Sequence, residues 1–444
     1  MPTILITAGR LIDPGQGIDR VADLLVRDGR IAEIGRPSSN GVDGGPPTPA
    51  DVDTTIDASG LIVTPGLIDM HVHLREPGRE EDETIASGTA AALAGGITSV
   101  ACMPNTEPAL DSQAAAEFIY LQAERAANAN VYPVGAITKG REGNELAEIG
   151  QLVRGGAVAF SDDGSPVDSA EIMRRALEYC GMFDRAILSH CEVRELTRDG
   201  VMHEGFVSMS LGLAGMPAAA EEIMVHRDIA LAELTGGRVH IQHISTAGSV
   251  ELVRRAKAHG LRVTAEACPH HFTLTDDCMR RFDSSFKMSP PLRTAADVEA
   301  VVAGLVDGTI DVIATDHAPH AQEKKMRELD RAPFGVIGLE TLLPVTVKAL
   351  IDRGHLDWPG IIAKLTINPA RILGIPKGTL QIGADADVTM IDPEAKWTID
   401  PERFESKSRN CPFAGCAVRG RAHTVLVGGV VKYTLGGRVK TIAG

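Results

Sequence analysis

The sequence predicts an α/β fold: a (β/α)8 TIM-type barrel with a small β-sandwich-like domain assembled from the two ends of the chain. Three observations lead to it. Between residues 66 and 375, eight short apolar runs alternate with segments of helical period, the pattern of strand-helix repeats around a parallel barrel. The first run ends Asp69-Met70-His71-Val72-His73-Leu74-Arg75 and is stopped by Glu76-Pro77-Gly78, so its polar residues sit at a strand tip. Both ends of the chain are β-rich, and neither is long enough to bury a large core alone.

The eight runs lie at 67–74, 98–103, 131–138, 157–161, 186–190, 239–244, 262–267 and 311–315, and 83–94, 169–180 and 217–234 are examples of the helices between them. No G-x-G-x-x-G follows the first run, so nothing favours an open dinucleotide-binding sheet instead. At the N-terminus, 4–7, 23–27 and 30–34 read as strands, with Asp28-Gly29 as a hairpin turn, followed by a Gly-, Pro- and Ser-rich loop at 36–51. At the C-terminus, 386–391, 417–419, 424–427 and 430–434 read as strands, with Gly428-Gly429 at a hairpin. The expected division is a discontinuous β-domain, 1–65 with 376–444, around a barrel at 66–375.

Bulk properties exclude several classes of function. The 444 residues are 44% apolar and 23% charged, an ordinary globular composition. A net charge of −15 argues against nucleic-acid binding. No apolar stretch has the length of a membrane span, and no basic segment precedes a long apolar one as in a signal peptide. Seven scattered cysteines suit a reduced, cytoplasmic chain without a disulfide framework. Cys411 and Cys416 lack the second pair that a zinc clip needs.

The chemistry is at the strand ends. His71 and His73 are two apart and share one face of a strand, so both imidazoles can reach one metal ion. The fourth run ends at Asp162-Asp163, the fifth at His190, the sixth carries His240 and His243, and the eighth leads to Asp316, His317 and His320. In a barrel of this kind these ends form the mouth where active sites are built. Nitrogen and oxygen donors without thiolate suit Zn²⁺ or a similar divalent ion.

The blocks "GLIDMHVHLREPG", "GGITSVACMPNTEP", "FSDDGSPVDS", "ILSHCE", "IQHIS", "KMSPPLR", "IATDHAPH" and "FGVIGLET" resemble, in order and spacing, those of dihydroorotases of the bacterial class I branch of the amidohydrolase superfamily. The resemblance implies a zinc-dependent enzyme that interconverts dihydroorotate and N-carbamoyl-aspartate in pyrimidine biosynthesis, by attack of metal-activated hydroxide on the ring amide. It implies that His71, His73 and Asp316 hold one metal, that His190 and His243 hold a second, and that Asp163 bridges them. One or two ions per chain remain open. Asp316 is expected to take the proton of the attacking water and pass it to the leaving ring nitrogen. His317 is expected to be a structural neighbour.

The resemblance also implies that Arg75 grips the substrate carboxylate, with Asn105 and His320 as its partners and Phe334-Gly335 contacting the ring. A guanidinium suits that bidentate task. Many relatives have "KxNPPLR" where this chain has Ser289, which leaves the ring contact from position 289 in question, because a hydroxyl cannot present an amide's donor and acceptor together. Two other readings stay in view. A hydantoinase or allantoinase would use a carboxylated lysine as the bridge, and 157–163 contains no lysine. A non-catalytic scaffold for aspartate transcarbamoylase would have lost ligands, and here every ligand position is filled. The resemblance makes docking to that transcarbamoylase, and homo-oligomerisation, possible partnerships. The polar stretch 318–331, with Glu323, Lys324 and Lys325, reads as a solvated loop or a lid.

Overall fold

The computed structural model describes residues 2–35 and 52–437, so the loop expected at 36–51 lies outside the described residues. Every one of the eight central runs forms a strand: Leu67–Val72, Ile97–Cys102, Asn130–Gly135, Ala159–Phe160, Ile187–Ser189, Val239–Ile241, Val263–Ala267 and Val312–Ile313. They lie side by side in chain order, all parallel. A parallel bridge between Val72 and His317 joins the last strand region to the first, with the His73 amide donating to the His317 carbonyl at 2.9 Å. The first two strands are buried at every position, because helices cover one side and barrel filling the other; hence their largely apolar sequence.

Several ladders stop short of the apolar runs, and buried carboxylates take over the pairing there. Asp162 Oδ1 accepts the Ile137 and Thr138 amides at 2.8 and 3.2 Å. Asp69 accepts the Thr315 amide at 3.2 Å and its hydroxyl at 2.5 Å. Side chains thus tie neighbouring strand tips together at the mouth of the barrel. The helices begin at caps visible in the sequence: Thr84, with Ser87, caps Ile85–Ala94, and Ser169 caps Ala170–Gly181. Inside the barrel, Ile68, Met70, Ala101, Met103, Val134 and Leu188 pack with Ile372 and Leu373 of the helix Ile367–Leu373.

The two ends of the chain meet in one eight-stranded sheet. Ile4–Asp13, Ile18–Arg27 and Arg30–Gly35 form an antiparallel meander. Ile62–Pro65 pairs with both Ile4–Asp13 and Val388–Thr398 and so links the N-terminal to the C-terminal strands. Asp28-Gly29 and Gly428-Gly429 all have positive φ, as a two-residue hairpin turn requires. The expected strands at 417–419 and 424–427 are one strand, Ala417–Val427. Thr54–Asp57 and Ile62–Pro65 are strands that sequence reading did not identify. Ile6, Leu24, Ile31, Val388 and Leu426 share one core although their strands span the sheet, so the sheet curls over it. Ile12, Ile391, Ala422 and Val425 belong instead to the core that covers the barrel.

Candidate metal centre and active site

The pairing of the first barrel strand with the second is irregular between Asp69 and Val72, and beyond that break His71 and His73, two residues apart, turn to the same side as Asp163; both, like Asp69, are buried. Asp69, through its bonds to Thr315, brings up the end of the eighth strand, and Asp316 follows. Asp316, His243 and Arg75 have φ of +48°, +32° and +62°, a region that residues with a Cβ seldom occupy. Such backbone clusters where side-chain direction matters more than local comfort.

Asp163 is the hub. Its carboxylate is the shared member of two groups of converging donor atoms, one with His71 and His73, the other with His190 and His243. Oδ1 lies 3.4 Å from His71 Nε2, 3.4 Å from His190 Nδ1 and 3.6 Å from His243 Nε2, and Oδ2 is 3.4 Å from His73 Nε2. Asp316 Oδ1 stands 3.0 Å from His73 Nε2 and 3.5 Å from His71 Nε2. The Arg141 guanidinium donates to the Asp163 carbonyl, and the Ser161 hydroxyl accepts the Asp163 amide at 3.0 Å.

A divalent ion fits these donors. Asp163 Oδ1 is buried without a hydrogen-bond partner, although three imidazole nitrogens surround it. Ligands about 2.1 Å from a tetrahedral ion stand roughly 3.4 Å apart, which is the spacing here. His190 Nδ1 and His243 Nε2 face each other at 2.8 Å, two donor atoms aimed at one space. Buried carboxylates in such number also call for positive charge. Burial pushes Asp163 and Asp316 up, but His71 and the neighbouring imidazoles outweigh it and hold Asp163 well below, and Asp316 below, the ordinary carboxylate range.

The outward nitrogens of three of the histidines are held by oxygen acceptors. His71 Nδ1 meets Glu266 Oε1 at 2.5 Å, His73 Nδ1 meets Asn105 Oδ1 at 2.8 Å, and His190 Nε2 meets Glu192 Oε2 at 3.2 Å. Such partners fix the tautomer and ring orientation of metal-binding histidines. Glu266 also binds His240 Nε2 at 3.1 Å, which turns His240 away from the Asp163 cluster and onto the Thr264 hydroxyl. His317 is likewise turned aside, between the Gly338 amide and Glu83. A further grouping of converging donor atoms is Cys268, His270 and His271, all buried; burial, with Asp316 and Glu266 nearby, pushes the thiol well above its ordinary pKa.

Above the cluster opens a cavity of about 720 Å³ lined by His73, Asp163, His190, His243 and Asp316 together with Arg75, Asn105, Ser289, His320, Phe334 and Gly335. Arg75 is buried and donates through Nε to the Pro319 carbonyl at 3.1 Å; burial and Arg79 bring its pKa down to about 10. His320 donates through Nε2 to the Phe334 carbonyl at 2.7 Å, and burial beside Arg75 pushes it down to about 3, so it is neutral. Gly335 has φ +126°, and a Cβ there would stand 2.7 Å from that of Ala318, so only glycine fits. Ser289 sends its hydroxyl to Glu192 Oε2 at 3.0 Å. A larger cavity, about 1020 Å³, lies between the barrel and the terminal sheet, lined by Glu340, Trp397 and Arg421 among others, and holds none of the residues around Asp163.

Part of the 318–331 stretch is packed rather than solvated. Lys325 is buried, and its Nζ donates to the Pro333 and Gly335 carbonyls at 2.9 and 3.0 Å. Lys287 sits 4.5 Å over the Phe334 ring and donates to the Leu329 carbonyl at 2.7 Å. Glu192, Glu266 and Lys287 have no role in the sequence reading, which places Lys325 in a solvated loop or lid. A signal existed for two of them: Glu266 is an acid inside an apolar run, and Glu192 follows His190 at the i, i+2 spacing that singles out His71 and His73.

Two family models match the chain, Dihydro-orotase-like over residues 60–249 and Amidohydrolase family over residues 212–433. Among curated proteins, the dihydroorotase of Pelotomaculum thermopropionicum is 55% identical over 432 residues, 96% of this chain and 98% of that protein. The dihydroorotase of a Geobacter species is 53% identical over 433 residues, 98% of this chain and 100% of that protein. The chain belongs to the dihydroorotase family. Its fold is shared with the L-hydantoinase (dihydropyrimidinase) of Arthrobacter aurescens, at a TM-score of 0.85 and 26% identity, with 99% of this chain and 97% of that one covered. This dihydroorotase relative differs from a lysine-bridged site in having Asp163 at the centre of its donors. All seven cysteines are free, and no described helix is long and apolar enough to cross a membrane.

Proposed function

We propose that this chain is an active, zinc-dependent, cytoplasmic dihydroorotase that interconverts dihydroorotate and N-carbamoyl-L-aspartate. The observation that carries the reading is the single cavity in which Arg75, Asn105 and His320 stand beside the Asp163-centred donor cluster. A carboxylate grip next to a hydrolytic centre suits a cyclic amide that bears a carboxylate. His71, His73, Asp163, His190, His243 and Asp316 would hold the metal, which when bound acidifies water and polarises a carbonyl.

The residues of this chain then divide the work. Arg75 orients the ring by its carboxylate, with Asn105 and His320 beside it, and the Phe334-Gly335 backbone, fixed by Lys287 and Lys325, bounds the ring. Asp316 takes a proton from the attacking water as the carbon–oxygen bond forms. It returns that proton to the ring nitrogen as the carbon–nitrogen bond breaks, and the closing direction reverses each step. A side-by-side assay of dihydroorotate, hydantoin and allantoin tests the reading. Turnover of dihydroorotate at least about 10²-fold above the two uncharged rings is expected from a fully used charge-assisted grip. Comparable or greater turnover of hydantoin would replace it with a hydantoinase.

A further inference from the structure

Glu192 lies just beyond the fifth barrel strand, on the wall of the cavity. Its Oε2 accepts from two groups that come from different parts of the chain, His190 Nε2 at 3.2 Å and the Ser289 hydroxyl at 3.0 Å. Its Oε1 accepts the Thr197 hydroxyl at 2.5 Å. Three contacts therefore define the position of this carboxylate. On the far side of the His190 ring, Nδ1 faces His243 Nε2 at 2.8 Å and Asp163 Oδ1 at 3.4 Å.

A neutral imidazole has one N–H, so a ring that donates from Nε2 presents a lone pair at Nδ1. Donation to Glu192 thus leaves Nδ1 as the electron-pair donor toward Asp163 and His243. Ser289 has a single O–H, and it is directed to Glu192. We infer that Glu192 is the positioning residue of His190 and that Ser289 serves Glu192, so that the hydroxyl at position 289 acts on the metal centre and not on the substrate ring. The inference rests on the metal-dependent reading above and refines it. A carboxylate partner raises the basicity of a ligand histidine, and removing such a partner costs 10–100-fold in metal affinity or activity.

The test uses the full chain, stripped with a chelator and titrated with Co²⁺ alone, in the wild type and in Glu192→Ala, Glu192→Gln and Ser289→Ala, followed by kinetics at saturating metal. Glu192→Ala is expected to bind one class of Co²⁺ about 10–100-fold more weakly. Glu192→Gln recovers part of the loss, because its carbonyl oxygen still accepts from Nε2, and it guards against an alanine variant that fails to fold. Ser289→Ala is expected to weaken Co²⁺ binding in the same direction and to lower kcat with KM unchanged. If Ser289→Ala instead raises KM while kcat and Co²⁺ affinity stay at the parent values, Ser289 serves the ring and the inference is overturned. Wild-type Co²⁺ affinity in both Glu192 variants overturns it equally. A wild-type chain that binds no Co²⁺ overturns the metal reading itself, and a failure of that kind is distinct from the other two.

Discussion

His71 turns Nδ1 onto Glu266 at 2.5 Å and thereby commits Nε2 to Asp163 and Asp316, at 3.4 and 3.5 Å. Both members of the pair are fully buried. Burial opposes charge on the imidazole, yet Glu266, Asp163 and Asp316 together raise its pKa well above the ordinary value. The ring lies in a field that demands positive charge nearby, which a bound divalent cation would supply.

Glu266→Gln should keep the packing of the pair while removing that charge. Metal affinity is expected to fall about 10–100-fold, read by titrating the stripped protein with Zn²⁺ against a competing chelator. Parent affinity would show that Glu266 matters only to His240.

Arg75→Lys should impair use of dihydroorotate without changing bound metal. An ammonium cannot reproduce two parallel hydrogen bonds to a carboxylate, so a loss in kcat/KM of about 10-fold or more is expected, at 1.4 kcal/mol per tenfold. Unchanged kinetics with dihydroorotate would remove Arg75 from the grip and revive the hydantoinase alternative.

Asp316→Asn keeps one coordinating oxygen but cannot accept a proton at neutral pH. The variant should retain at least part of its metal and lose about 10²–10⁴-fold in turnover, the usual worth of a positioned acid-base group. Bound metal must be measured with the rate. Near-normal turnover with normal metal would assign the proton to another residue, and His320 is the next candidate.

Away from the site, burial pushes the Glu340 carboxyl up to about 8, against hydrogen bonds from the Glu405 and Ser406 amides. An acid whose pKa is raised on folding binds more protons folded than unfolded. Its contribution to stability therefore falls as pH rises from the unfolded value toward 8, by at most about 1.4 kcal/mol per pH unit. Glu340→Gln should then raise Tm more at pH 7.5 than at pH 5, by thermal melts at the two values. An equal shift at both would mean that the carboxyl is ionised throughout.

The barrel is legible because strands buried on both faces are predominantly apolar, so eight such runs stand out from the helices between them. The candidate residues stand out because each is a polar group at or near the end of such a run, although Asp162, His240 and His317 there have structural partners instead. Thr54–Asp57 and Ile62–Pro65 escaped because each is only four residues long and is defined by its partners rather than by its own pattern. The acceptors behind the histidines escaped for a related reason. Ser289 and Glu192 are 97 residues apart, and nothing local in either segment announces the other. Lys325 looked like a solvated charge, and only the fold supplies the carbonyls that allow its burial.

Dihydroorotate turnover is expected to depend on divalent metal held by the donors around Asp163. Measuring bound metal and dihydroorotate turnover together, before chelation, after it and after Zn²⁺ is restored, tests this most directly. Turnover is expected to disappear with the metal and return with Zn²⁺, and to be absent throughout in His71→Ala, which lacks one of the proposed ligands. Full turnover in demetallated protein would contradict it.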